Sequence, residues 1–121
     1  MNSRVGGVIQ FKANGQQYKA KGEFTYNLGV AKREAVVGAD EVHGFSEKPQ
    51  APKIEGMITD NDELDLKAFL GLRDATVTLS LANGKTVVLR NAFYAGDGDV
   101  TTDEGEIQVL FHGTSAEEIA A

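Results

Sequence analysis

Apolar and polar residues alternate without interruption over residues 18–28, where Tyr18, Ala20, Gly22, Phe24, Tyr26 and Leu28 interleave with Gln17, Lys19, Lys21, Glu23, Thr25 and Asn27. A period of two sends one set to each side of a pleated strand, so this stretch commits the chain to a β-fold with one face buried. At about 3.3 Å per residue, one strand over these positions spans roughly 36 Å, longer than most strands of globular proteins. Asn14-Gly15 separates it from Val8, Ile9 and Phe11. Asn-Gly between two strand-like runs predicts a type I′ hairpin, because both residues accept positive φ.

The same pattern recurs downstream. Ile54, Gly56 and Ile58 alternate with Glu55, Met57 and Thr59 just beyond Pro49 and Pro52. Val77, Leu79 and Leu81 alternate with Thr76, Thr78 and Ser80, turn at Asn83-Gly84 and return through Val87, Leu89 and Phe93. Ile107, Val109 and Phe111 mark a final strand, and residues 114–121 form a polar tail that either frays or docks. Ala-Asn-Gly occurs at 13–15 and again at 82–84; the chemistry of tight turns accounts for the echo without a duplication, since the flanks differ. One helix is predicted over residues 63–72, with Asp60, Asn61 and Asp62 offering N-cap oxygens and Leu66, Phe69, Leu70 and Arg73 at helical spacing. The expected fold is mainly β within the α+β class: one domain over residues 1–121, an antiparallel β-barrel or sandwich with one short α-helix and a long protruding loop.

That loop is residues 29–48. Most connections in compact domains run about 4 to 6 residues, so this length implies disorder or a function. Its composition argues for a function. Val30, Ala35, Val36, Val37, Ala39, Val42 and Phe45 supply apolar anchors between Lys32, Arg33 and Glu34 on one side and Asp40, Glu41 and Glu47 on the other. Such a mixture orders against a partner.

Composition narrows the chemistry. The chain has 121 residues, 41% of them hydrophobic, and no cysteine, which removes thiol catalysis, disulfides and cysteine-ligated zinc. Neither a signal-peptide core nor a run of roughly 20 apolar residues is present, so the expectation is cytoplasmic synthesis without membrane binding. A formal charge of −6 opposes a nonspecific grip on phosphates. Tyr18, Phe24, Tyr26, Phe93 and Tyr94 beside Lys19, Lys21 and Arg90 resemble the makings of a nucleic-acid surface. Strand alternation, however, puts Tyr18, Phe24 and Tyr26 opposite Lys19 and Lys21. Asp97, Asp99 and Thr101, with Asp103 and Glu104, superficially open a calcium loop, but the glycine is missing and Gln108 stands where the bidentate glutamate belongs, so an acidic turn is preferred. His43 and His112 have no ligand-spaced companion and no nucleophile elbow accompanies them. Neither a catalytic residue, a cofactor site nor a metal site is expected; a monomeric β-barrel binding calcium or a small ligand remains the alternative from a different class.

The run from Gly22-Glu23-Phe24-Thr25-Tyr26-Asn27-Leu28-Gly29 through Lys32-Arg33-Glu34, Val37-Gly38-Ala39-Asp40 and His43-Gly44 resembles the tail tube protein of Mu-like contractile-tailed bacteriophages. Ile54-Glu55-Gly56, Leu72-Arg73-Asp74-Ala75-Thr76-Val77, Leu81-Ala82-Asn83-Gly84-Lys85-Thr86 and Ala95-Gly96-Asp97-Gly98 continue the likeness in order, over roughly residues 5–118. The resemblance implies a β-barrel or sandwich related to the type VI secretion tube protein, and a virion structural protein without catalysis. By the same resemblance its subunits are expected to form hexameric rings stacked into a hollow tube inside a contractile sheath, assembled in the host cytoplasm, with DNA as transient cargo. Further implied partners are the tail sheath protein, the baseplate or tail initiator, the tape measure and the tail terminator. A tube subunit of a phage-derived particle or secretion system is the nearest alternative.

The resemblance also makes residues 29–48 the loop that reaches an adjacent subunit or ring. Its expected anchors are Val36, Val37, Val42 and Phe45, with Lys32 and Arg33 facing Asp40 or Glu41 of the next subunit and setting register. Pairing of exposed strand edges would close the ring. Glu23, Thr25 and Asn27, together with Glu55, Glu106 and Gln108, are expected to line the channel, where acidity keeps DNA from sticking. Lys19 and Lys21 share that face and are expected to pair with Glu55 or Glu106 or to mark the ring end.

Overall fold

A computed structural model describes residues 8–39 and 41–120. In chain order the elements are β1 (Val8–Ala13), β2 (Gln16–Tyr18), β3 (Ala20–Asn27), β4 (Lys32–Val37), β5 (Val42–Lys48), β6 (Lys53–Thr59), α1 (Leu66–Leu70), β7 (Ala75–Leu81), β8 (Thr86–Tyr94), β9 (Val100–Thr101), β10 (Glu106–His112) and β11 (Ser115–Ile119). Asn14 and Gly15, with φ of 52° and 80°, make the left-handed pair that a type I′ turn needs and set Phe11 opposite Tyr18. The second Ala-Asn-Gly closes differently. There only Gly84 is left-handed, at φ 94°, and Leu81 N–H donates to the Lys85 carbonyl at 2.8 Å across a three-residue loop.

The single long strand predicted over residues 18–28 is two strands. It breaks at Lys19, whose carbonyl accepts from Thr59 N–H at 2.8 Å, and then bulges at Gly22, φ 73°, so that register jumps between Lys21 and Thr25. The reason is pairing: β2 bonds to β1 and β3 bonds to β6, and a strand changing partners must bend. Alternation survives the bend, for Tyr18, Ala20, Phe24, Tyr26 and Leu28 all pack on the core.

Hydrogen bonding runs β2-β1-β7-β8-β10-β6-β3, all antiparallel, with β11 added to β8 and β9 to β10. β8 turns the corner between layers. Ala92 and the residues before it pair with β7, whereas Phe93 and Tyr94 pair with β10. The path stays open, because its ends β2 and β3 are not bonded to each other, and the fold is a sandwich rather than a closed barrel. Between the layers lie Phe11, Ile54, Ile58, Phe69, Leu79, Leu89, Ile107, Val109 and Phe111, each 0–1% exposed. Phe69 and Tyr94 meet the Phe111 ring edge-on at 5.6 and 5.5 Å. Such geometry adds about 0.5–1.5 kcal/mol per pair beyond the area buried.

α1 is shorter than predicted and capped by another residue. Asp65 Oδ1 accepts from Ala68 N–H at 3.2 Å, and Asn61 Oδ1 instead serves Glu63 N–H at 2.9 Å in the preceding turn. Residues 60–64 are spent on that turn, which carries the chain over the layer edge before the helix drops Phe69 into the core.

Candidate functional site

Residues 29–48 do not form an irregular loop but a β-hairpin whose strands, β4 and β5, pair with each other and with no other described strand. All six residues of β4 are exposed. The register sets Arg33 opposite Glu47, Ala35 opposite Phe45 and Val37 opposite Val42, while Lys32 meets Lys48, Glu34 meets Ser46 and Val36 meets Gly44. Partners directly opposite share a face and neighbours along a strand do not. One face therefore carries Arg33, Ala35, Val37 and Phe45, and Val36 lies on the other with Lys32 and Glu34. Val37 is 69% exposed and Phe45 58%, an apolar surface that nothing among the described residues covers.

Charges frame this face. The Arg33 guanidinium lies 4.8 Å from the Phe45 ring centre while its Nε sits 3.2 Å from Glu47 Oε1, and Lys48 Nζ reaches Glu34 Oε1 at 3.4 Å on the other side. Arg33 is thus engaged within its own arm. Glu41, one of its two expected partners, is exposed, with its carbonyl accepting from Gly38 N–H at 2.8 Å. Asp40, the other, lies outside the described residues.

The other predicted group lies on the outer face of β3, β6 and β10. Register places Lys21, Met57 and Gln108 in one row, Thr25, Glu55 and Leu110 in the next, Asn27, Lys53 and His112 in a third, and Thr59 opposite Glu106. Five of the six predicted residues are brought together in this way. Glu23 is exposed in the bulge, where register does not fix its row. Lys21 Nζ sits 3.0 Å from Glu106 Oε1 and Lys53 Nζ 3.6 Å from Glu55 Oε1, so each carboxylate of the face has a lysine. Hydrogen bonding from Lys21, above all, holds the Glu106 carboxyl below the usual carboxylate range. Lys53, Met57, Leu110 and His112 share the face but were not expected there from the sequence, although Lys53 and Met57 are in phase with Glu55. Phe93, opposite His112 with ring centres 6.3 Å apart, extends it.

Among the described residues the larger sheet leaves the edges of β2 and β3 open at the ends of the path and that of β11 open outside β8, while the two-residue β9 pairs with β10 alone. β11 is fastened by polar contacts. Arg90 Nη2 lies 2.6 Å from Glu117 Oε1, and Glu118 accepts from Tyr26 O–H at 2.5 Å and faces Lys85 Nζ at 3.5 Å. The tyrosine's hydrogen bond lowers the Glu118 pKa, and the same bond raises that of Tyr26.

A groove of about 130 Å³ between α1 and the first hairpin, lined by Asn14, Tyr18, Asp65 and Phe69, is small beside the roughly 300–1,000 Å³ of ligand pockets. Asp97, Asp99, Asp103 and Glu104 are each exposed, and among the described residues no three His, Asp or Glu side chains converge as a metal site would require.

The profile of the phage tail tube protein family matches residues 2–118. The Mu-like prophage FluMu tail tube protein of Haemophilus influenzae is 28% identical over 109 residues, 90% of this chain and 91% of that protein. The tail tube protein of Escherichia phage Mu is 27% identical over 114 residues, 94% of each.

Proposed function

The chain belongs to the phage tail tube protein family, and on that premise we propose that six copies close into a ring and that rings stack into the inner tube of a contractile tail, through which DNA is delivered. The observation that carries this reading is the detached hairpin. A two-stranded ribbon is at best marginally stable alone in water, and this one exposes Ala35, Val37 and Phe45 on one face while pairing with no other described strand of its subunit. Seated on a second copy, in the same ring or the next, that face gains the burial its own subunit does not supply. The open edges of β2, β3 and β11 are the surfaces on which neighbouring sheets join, and closure of the ring removes the hazard such edges pose to a free subunit.

The outer face of β3, β6 and β10, with Thr25, Asn27, Glu55, Glu106 and Gln108 and with Glu23 beside it, is the proposed channel wall. Its slipperiness rests on pairing. Lys21–Glu106 and Lys53–Glu55 leave neither a cationic track to hold phosphates nor a bare acidic wall to repel them. The sheath surrounds the tube in this reading; initiator, tape measure and terminator set its start, length and end; and assembly takes place in the host cytoplasm. Negative-stain electron microscopy of the purified protein over a concentration series, with light scattering on the same samples, tests it. Six-membered rings or hollow tubes are expected. A monomer that persists at all concentrations and in the presence of a tail-initiation complex would overturn it.

A further inference from the structure

Where the hairpin leaves the body, the chain is fastened at both crossings. Asn27, the last residue of β3, accepts from Gly29 N–H through Oδ1 at 2.8 Å and donates from Nδ2 to Gln50 Oε1 at 3.3 Å. Gln50, on the returning strand's side, donates from Nε2 to the Val30 carbonyl at 2.9 Å. One amide side chain therefore spans the outgoing and incoming segments. Beneath it, Gly29 at φ 80° lies so close to Pro52 that a Cβ there would stand 2.5 Å from Pro52 Cγ. Pro52 is buried, and its carbonyl accepts from Gly113 N–H at 3.2 Å and lies 3.2 Å from His112 Nδ1 at the end of β10.

From this continuous chain of contacts we infer that residues 27–30 and 50–52 form a collar that fixes the direction of the arm, and that Gln50 is its positioning residue. The inference rests on the arm's role in assembly. An arm already aimed at its neighbour loses less orientational freedom on seating, so the collar lowers the concentration at which subunits associate. It also gives Asn27 a task distinct from lining a channel, since both ends of its amide are committed to the arm's root.

The absence of cysteine permits a clean measurement. Spin labels on Ser46→Cys in the arm and Glu63→Cys on the body report the arm's direction in dilute, unassembled protein. A narrow distance distribution is expected in this parent, broadening with Gln50→Ala and with Gln50→Glu, which keeps an acceptor but loses the donor to Val30. Gly29→Ala is expected to shift the distribution by forcing the arm off Pro52. Gln50 is exposed, so the melting transition should stay put, while the critical concentration for assembly rises about fivefold, the scale of one exposed hydrogen bond. Unchanged distributions in all three variants would overturn the collar. Should Val37→Asp assemble normally, the arm's role fails instead, and the distance measurement still decides whether the collar exists.

Discussion

At the scale of single residues, neighbours in sequence can have opposite duties. Val36 and Val37 both carry the same side chain in the same exposed strand, yet register puts Val37 with Ala35 and Phe45 and leaves Val36 among Lys32 and Glu34. Val37→Asp should abolish tube formation while circular dichroism remains native, and Val36→Asp should assemble with at most a mild defect. Equal defects in sedimentation would show that both faces are buried. The apolar content of the arm was legible as composition, but its division between faces was not, because the pairing register skips between Val36 and Val37. Gly56 makes a similar point within the core. The Phe24 ring lies where a Cβ on Gly56 would stand, 2.6 Å away, so Gly56→Ala is expected to cost about 1–3 kcal/mol, as overpacking does. A denaturant midpoint unchanged from the parent would contradict that packing.

At the scale of elements, alternation identified strands wherever one face is buried. Ile54 and Ile58 in β6, Val77 and Leu79 in β7, and Ile107, Val109 and Phe111 in β10 are all core residues read from a period of two. The break at Lys19 was hidden because it is set by Thr59, forty residues away, and not by the local pattern. The N-cap was misplaced because Asp60, Asn61, Asp62 and Asp65 compete with similar chemistry, and only the path of the turn selects among them. β11 was illegible as a strand because only Ala116 packs on the core and the rest is held by backbone pairing and charge. That attachment carries a pH dependence. Glu118 has its pKa depressed in the folded protein, so its contribution is present above the ordinary carboxylate range and is lost as pH falls through the depressed value. Amide exchange in β11, corrected for intrinsic rates, should accelerate relative to β7 as pH drops below that range, and Glu118→Gln should remove the extra acid sensitivity. A constant β11-to-β7 ratio throughout would refute the clamp.

At the scale of the whole molecule, the sandwich and the arm are separate investments of sequence. The buried core draws on β1, β6, β7, β8, β10 and α1, with Tyr18, Phe24, Val100 and Ala116 of β2, β3, β9 and β11 packed against it, and among the described side chains takes nothing from β4 or β5. Because Asn27 and Lys53 are paired across β3 and β6, a short Gly-Ser linker can replace residues 31–49 without stretching the sheet. The shortened protein is expected to melt within about 4–8 °C of the parent, a change of roughly 1 kcal/mol, and to remain monomeric where the parent assembles. A collapse in melting temperature would mean that the arm supports the body after all. Motifs spread over most of the chain made the tail tube family legible, whereas the open edges became visible only once strand order was known.

The isolation of the hairpin also makes it a gauge. Lys32 and Arg33 present trypsin with cleavable bonds on an exposed ribbon whose strands pair with no other described strand, while the body offers a close-packed core. A free subunit should be nicked there first and keep its folded body, and the same bonds should resist once a neighbour covers them. The rate of one proteolytic cut thereby counts the subunits still waiting outside the tube.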